Sequence, residues 1–491
     1  MKSSKIFITA TICIGSLLFA SCKKFLDQEP ISNPAEVNYW KTASDAESGV
    51  AGCYALLRTA LNNKTIAYYA YGDLPTDQFS AVGSEDGQDI SNLNLSIGVP
   101  ASADYRPMYG LRRWDNFYRA IDQASSSIRN IPKIDFTTGQ NGATKNSLIG
   151  EAYFVRAFSY FYISRVWGDV PLVTTEVAAE NAVNLPRASK EAVMAQCISD
   201  LKAAIPLLQY GYSSTTNRAI RANRGAAWAL LAHIYAWQQN YTECLAATDS
   251  VITRGQYSLV NRASNYLSIY KGQSTEGIFE ISMNAQNEGA INGIARYTTK
   301  APYNTTNNGN ALYTLNTTTL TELYSDTTDL RRKNSFAFLG TTDPICIKYA
   351  NFQYSTQNNI VIPIAYNNII VFRLADIKLL QAEALAALNR FTEAKAPLNE
   401  IRNAAGLLAY DGTDDNLFKA IIDERGRELF LEGHRYYDLV RLAKVKQIYA
   451  FGGTRMSESQ FLRGKYYWPV DPTLIALNSL ITQTPFWASS M

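Results

Sequence analysis

The chain has 491 residues, 47% of them hydrophobic and 18% charged, with a net charge of +3. That length exceeds one small compact core and points to several lobes or one large helical array, and the hydrophobic content excludes wholesale disorder. No basic run accompanies the slight positive charge, so no nucleic-acid partner is expected.

The N-terminus reads as an export signal. Lys2 and Lys5 precede an apolar stretch from Ile6 to Ala20, which has signal-peptide length and is too short to span a bilayer comfortably. Ala20 and Ser21 then precede Cys22, a pattern that resembles a bacterial lipobox, although Phe19 stands where Leu is commoner. A segment of this kind predicts cleavage before Cys22 and acylation of its thiol; an ordinary cleaved signal with an incidental Cys is the alternative. No later apolar run reaches the ~18 residues a membrane span needs.

Further along, residues 72–108 lose periodicity and fill with Gly, Asp, Asn and Ser. The stretch GEAYFVRAFSYFYISRVWGDVPLV (150–173) is apolar on most helical faces, which predicts a buried helix ended by Gly168 and Pro171. In EAVMAQCISDLKAAIPLL, Val193, Cys197, Leu201 and Ile205 recur every four residues, the spacing of one helix face. Next, RGAAWALLAHIYAWQQNYTECLAATDSVI matches DIKLLQAEALAALNRFTEAKAPLNEIR at an offset of 150. Leu230 aligns with Leu380, Ala232 with Ala382, Ala236 with Ala386, Thr242–Glu243 with Thr392–Glu393 and Ala246 with Ala396. Small residues at these spacings let helices approach closely, as in tetratricopeptide (TPR) hairpins that bury a face only by stacking. Between the two copies, residues 257–370 are rich in Asn, Thr, Tyr and Gly; so many Tyr argue for an ordered, loop-rich lobe rather than a linker.

Near the C-terminus, DERGRELFLEGHRYYDLVRL (423–442) places Glu424, Glu428 and Glu432 at intervals of four, as on one helix face. Such a row repels itself unless cations answer it, and Arg425, Arg427, Arg435 and Arg441 are the nearest. This predicts a structural ion-pair lattice, with Gly433 permitting close backbone approach and His434 not acting as a base. His233, the other histidine, lies in an apolar helix between Ala232 and Ile234 and reads as interior. Cys53, Cys197, Cys244 and Cys346 match no zinc spacing, and sequence does not pair them; Cys197 and Cys244 read as small core residues. Nucleophile elbows, P-loops, zincin motifs and dinucleotide fingerprints are absent, and nothing singles out two of the 43 Asp and Glu as a glycosidase pair.

Six blocks in order resemble the SusD/RagB family of outer-membrane nutrient-binding lipoproteins. KKFLDQEP follows Cys22; RRWDNFYRAIDQAS (112–125) carries Trp114, Tyr118, Ile121 and Ala124. EAYFVRAFSYFYISRVWGDVPLV and FRLADIKLLQAEALAALNRFTEAKAPLNEIRNAAGL (372–407) resemble two family helix blocks. ERGRELFLEGHRYYDLVRL resembles its C-terminal signature, and YYWPVDP (466–472) its closing segment, with Asp471 where Pro is usual. The resemblance implies a signal peptide over 1–21 and a mainly α, TPR-like frame over 40–66, 110–256 and 372–450, carrying a binding lobe over 68–108 and 257–370. It implies no enzyme activity and no cofactor. It also implies a lipid anchor at the outer membrane and a SusC-like TonB-dependent transporter as partner. A glycan is the expected ligand, with peptide capture as the alternative and a surface glycan-degrading enzyme the less favoured reading.

The ligand is expected where the loops of 68–108 meet those of 280–315. Aromatic rings stack on sugar faces while Asn and Asp bond hydroxyls. The early segment offers Tyr71, Asp73, Asp77, Phe79 and Tyr105; the later one offers Asn284, Tyr297, Tyr303 and Tyr313. Asp73 and Asp77 also suit turn hydrogen bonds, and Phe79 a core position. Glu85, Asp86 and Asp89 offer carboxylates to Ca²⁺ but lack the spacing of a calcium loop.

Overall fold

The structure, a computed structural model, describes residues 39–80, 85–96, 98, 105–139, 142–174, 184–212, 214–284, 293–309, 311–452 and 455–489. Cys22 and the signal segment lie outside the described residues. Ten helices of twelve residues or more form the frame among the described residues: α1 (Ala43–Leu61), α2 (Asp115–Asn130), α3 (Lys145–Trp167), α4 (Lys190–Leu207), α5 (Arg224–Trp237), α6 (Tyr241–Arg254), α7 (Leu374–Ala387), α8 (Phe391–Ala404), α9 (Asp414–Glu428) and α10 (Arg435–Lys446). The protein is mainly helical, as expected. No described helix is long and apolar enough to cross a membrane.

Local chemistry sets these boundaries. Thr42 accepts from the Asp45 N–H while Asp45 accepts from that of Thr42, a reciprocal cap on α1. Helix α3 is buried from Ala157 to Trp167 because α1, α2 and α4 pack around it. Gly168, at φ +78°, ends it where a side chain would be strained.

The internal repeat is visible atom by atom. Helices α5 and α6 form one hairpin, α7 and α8 a second, and α6 packs directly on α7. Leu230, Ala232 and Ala236 are buried, as are Leu380, Ala382 and Ala386. Gln239 and Asn389 occupy the same turn position at φ +61° and +60°. In both turns the following N–H closes on the carbonyl five residues back, Asn240 on Tyr235 and Arg390 on Leu385. The hairpins therefore share a backbone solution as well as a sequence pattern.

The segment 257–370 holds short helices and extended pairs. Strand β1 (Gly277–Ile281) pairs antiparallel with β4 (Ile369–Arg373), and β2 (Phe352–Gln357) with β3 (Ile360–Ala365). The two loop regions meet as expected: Phe79–Ser80 pairs with Thr314–Leu315, and the Asn316 N–H donates to the Gln78 carbonyl.

The charged stretch 423–442 departs from the expected single helix. Helix α9 stops at Glu428, and α10 restarts at Arg435 after a turn with Leu431 at φ +56° and Gly433 at φ +78°. The expected lattice forms, but mostly from other cations. Glu428 binds Arg262, Arg331 and Arg373; Glu432 binds Arg373 and Lys348; Glu424 binds Arg331, Arg402 and Arg427. Of the four arginines expected to answer the row, only Arg427 does so. Arg425 is taken by Asp376 and Asp438, Arg441 by Glu383 and Asp438, and Arg435 by Asp77. The reason is steric: the row is fully buried, and apart from Arg402 and Arg427 at its Glu424 end the side chains that reach it arrive from the packed lobe. Arg262, Arg331, Lys348 and Arg373 all come from 257–373, and the lattice thus clamps that segment to the frame. Burial opposes ionisation of Glu428, yet Arg262, Arg373 and Arg331 hold it well below the usual carboxylate range.

Candidate functional site

Two constellations compete for attention. The first is His233, Asp376 and His434, whose ligand-type atoms lie within 4.8 Å of one another. His233 Nε2 lies 2.8 Å from Asp376 Oδ2, and Arg425 Nη2 donates to Asp376 Oδ1 at 2.8 Å. His434 Nε2 donates to the Val371 carbonyl at 3.1 Å, and the two imidazoles stack at 5.6 Å. All three side chains are buried, and the Arg425 guanidinium already neutralises the carboxylate. Burial pushes the His434 imidazolium down to about 4 and lowers His233 as well. The donor set does not suit a metal ion, because a guanidinium occupies the position a cation would share and solvent has no access. This cluster is a neutral, hydrogen-bonded part of the core.

The second constellation is an aromatic platform on the loop-rich segment. Tyr303 is 37% exposed and meets Phe338, 38% exposed, edge to face at 6.3 Å. Lys300 Nζ stands 5.3 Å over the Phe338 ring and is paired with Asp343. Tyr354, 42% exposed, accepts the Thr305 N–H at 3.1 Å and so ties hairpin β2–β3 to the Tyr303 loop. That loop is stiffened from within: the Tyr303 and Asn304 N–H groups both donate to the Lys300 carbonyl, and Ala301 N–H donates to the Asn307 carbonyl. Phe338 sits at φ +60°, an uncommon conformation for a bulky residue and one that tends to persist at functional positions. Held rings beside a paired cation, a carboxylate and amides can stack on an apolar ligand face and bond its polar rim.

The expected site residues divide sharply. Tyr303 belongs to the platform, and Tyr105 on the early segment is 77% exposed. Tyr71, Asp73 and Phe79 are corrected to core positions. The Tyr71 hydroxyl donates to the Leu111 carbonyl at 2.7 Å, its ring meets Trp468 at 4.9 Å, and Phe79 stacks on Phe430 at 5.7 Å. Asp73 is fully buried, accepts the Gly433 N–H at 2.6 Å, and is pushed well above the usual carboxylate range by burial. Asp77 is occupied by a two-pronged pair with Arg435, at 3.0 and 2.6 Å. Tyr313 is buried edge-on against half-buried Tyr297 at 6.1 Å, so it supports the loop rather than lining it. Asn284 is half-buried. The acidic run does not gather for Ca²⁺: Asp86 binds Arg106 and the Met108 N–H, and Asp89 accepts from Asn94. The Glu85 side chain lies outside the described residues. Phe338 and Tyr354 were not singled out in sequence; the turn FAFLGTT, with an aromatic two residues before Gly340, is the signal that marks the first. Cys53, Cys197, Cys244 and Cys346 are all buried and free.

A frame of stacked helical hairpins that presents stiff aromatic loops defines a class of helical-repeat ligand-binding proteins. This chain belongs to the SusD/RagB family. Residues 295–487 match the SusD family, and residues 24–236 match a family described as starch-binding associating with outer membrane. The chain is 30% identical to SusD-like protein P38 of Formosa agariphila, over 91% of this chain and 93% of that one. A SusD homolog of Bacteroides thetaiotaomicron, solved by crystallography, superposes with a TM-score of 0.80 at 28% identity, over 90% of this chain and 98% of the other. A solved laminarin-binding SusD-like protein shares the fold with a TM-score of 0.72 at 22% identity, over 91% of this chain and 100% of the other.

Proposed function

We propose that this protein binds an oligosaccharide or polysaccharide at the cell surface and delivers it to a SusC-like TonB-dependent transporter, without transforming it. The observation that carries the binding step is the held, exposed pair Tyr303–Phe338 with Tyr354 behind it. Neutral sugars suit such a surface because their apolar faces stack while hydroxyls reach amides. Tyr105, on the early segment, offers a further exposed ring of the same kind. The delivery step rests on family membership, and the outer-membrane anchor on Cys22 with its preceding apolar segment.

Peptide capture is the second reading. It is favoured by hairpin β2–β3, which among the described residues pairs only with itself and leaves Ile360 and Val361 exposed at its tip. A peptide would add to such an edge as a strand. Titrating the purified protein against a panel of neutral oligosaccharides, with a peptide pool as control, decides between them. Saturable saccharide binding is expected; binding to peptides alone overturns the glycan reading. Cys22→Ala is expected to release the protein from membranes, and purification from detergent extract to recover a large β-barrel protein alongside it.

A further inference from the structure

The frame has a polar cavity of about 290 Å³ far in sequence from the aromatic platform, between the start of α4, the α5–α6 turn and the last turn of α10. Its walls are Lys190, Glu191, Met194, Trp237, Gln238, Gln239, Lys444 and Tyr467. Lys444 is half-buried there, with Nζ 4.0 Å over the centre of the Trp237 ring and 5.5 Å from that of Tyr466. Two aromatic faces hold this ammonium, but among the described residues no carboxylate does. Several other buried cations have a carboxylate partner: Arg156 pairs with Asp200, Arg441 with Glu383 and Lys348 with Glu432.

The neighbours do not supply the missing counter-charge. Lys190 and Glu191 both line the cavity, but they pair with each other at 3.1 Å from largely exposed positions. Arg441, one turn before Lys444, is already committed to Glu383 and Asp438. A desolvated ammonium without a counter-charge is costly, so a cavity built around one is complementary to an anion. Carboxamide donors from Gln238 and Gln239 complete a set able to bond an oxyanion's remaining lone pairs. A volume near the lower end of the usual ~300–1,000 Å³ for ligand pockets limits the occupant to a small one.

We propose that this cavity binds one oxyanionic group of a small acid, a carboxylate or a sulfate, ion-paired to Lys444 and Lys190 against the Trp237 wall. This site is independent of the aromatic platform and of the proposed saccharide function. Burial, with Lys190 and Arg441 adding to it, pushes the Lys444 ammonium down to about 8. A bound anion reverses that effect, because it favours the charged form.

The test uses the full chain in detergent at constant ionic strength, with glucuronate, sulfate, inorganic phosphate and uncharged glucose as probes. Acetylation of Lys444 is followed by mass spectrometry across pH, with exposed Lys333 as the internal reference. Saturating anion is expected to move the Lys444 reactivity profile up by at least one pH unit, a roughly fivefold slower reaction at pH 8, while glucose and Lys333 show no change. Protection by glucuronate alone assigns the carboxylate, and protection by sulfate or phosphate as well assigns a general oxyanion pocket. By calorimetry, Lys444→Met should weaken anion binding at least tenfold, and Lys444→Arg should restore most of it; Lys190→Met provides a second reading should the first variant fold poorly. Equal Lys444 reactivity with and without every anion, or unchanged affinity in a folded Lys444→Met protein, overturns the proposal.

Discussion

Arg373 grips Glu428 twice: Nη1 donates to Oε1 at 2.8 Å and Nη2 to the main-chain carbonyl at 2.7 Å. Arg373 ends strand β4 and immediately precedes α7, and Glu428 ends α9, so this contact joins the loop-rich segment to the frame. Glu428→Ala would leave Arg262, Arg331 and Arg373 buried with one fewer carboxylate. Breaking a buried pair from one side typically costs about 3–5 kcal/mol. The unfolding free energy from urea titration should fall by that amount, while the folded fraction keeps its ligand affinity. A variant that unfolds normally yet loses binding would turn the lattice into a site.

Acid should weaken the fold in two stages. His434 is held down to about 4 in the folded state, against about 6.5 when unfolded. Between those values the unfolded chain binds the extra proton, so stability is complete above pH 6.5 and drains as pH falls toward 4, by roughly 3 kcal/mol. Glu424, held at about 2 against burial by Arg331 and Arg427, adds a second loss that begins below about pH 4.5. Denaturant midpoints measured at pH 7.5, 6.5, 5.5 and 4.5 should decline throughout the lower three, and His434→Gln should make that decline shallower. A flat profile down to pH 4.5 contradicts the neutral buried imidazole.

Close backbone approach gives a sharper stability test. A Cβ on Gly72 would lie 2.2 Å from the Gly433 carbonyl oxygen and 2.5 Å from its carbon, and main chain on both sides has no room to move. Gly433 itself is at φ +78° with the Tyr68 ring against it. Gly72→Ala should therefore cost about 3 kcal/mol or more through overpacking. Gly98→Ala, which meets nothing within 4 Å, is the matched control and should leave the melting temperature unchanged.

The frame was legible in sequence because its rules are local. A 150-residue offset, small residues at helical spacing and a shared turn were enough to find hairpins whose turns prove alike down to Gln239 and Asn389. The lattice was half legible. Spacing shows that Glu424, Glu428 and Glu432 need cations, but it does not reveal that Arg262, Arg331, Lys348 and Arg373 arrive from elsewhere in the chain. The site was least legible. Tyr71 and Tyr303 are the same residue type in similar loop-rich company, yet one is fully buried against Trp468 and the other faces solvent. Only long-range packing separates them, and a Tyr carries no local mark of which it will be.

That separation defines the last prediction. Tyr303, Phe338 and Tyr105 expose their rings, whereas Tyr71, Phe79 and Tyr313 are enclosed. Loss of an exposed stacking ring costs about 1 kcal/mol, or roughly fivefold in Kd. Tyr303→Ala and Phe338→Ala should each weaken saccharide binding by that factor, and their combination by somewhat less than the product, because the two rings support each other edge to face and either single loss already loosens the other. Tyr105→Ala added to Tyr303→Ala tests whether the early segment shares the ligand. All of these variants should melt with the parent, since none of the three rings is in the buried core. Tyr71→Phe should do the reverse: it removes a buried hydroxyl's bond to Leu111, lowering stability by about 1 kcal/mol with affinity intact. If the Tyr303 and Phe338 isotherms overlay the parent's on a saccharide that the parent binds, the platform is not the binding surface and the ligand sits elsewhere on the lobe.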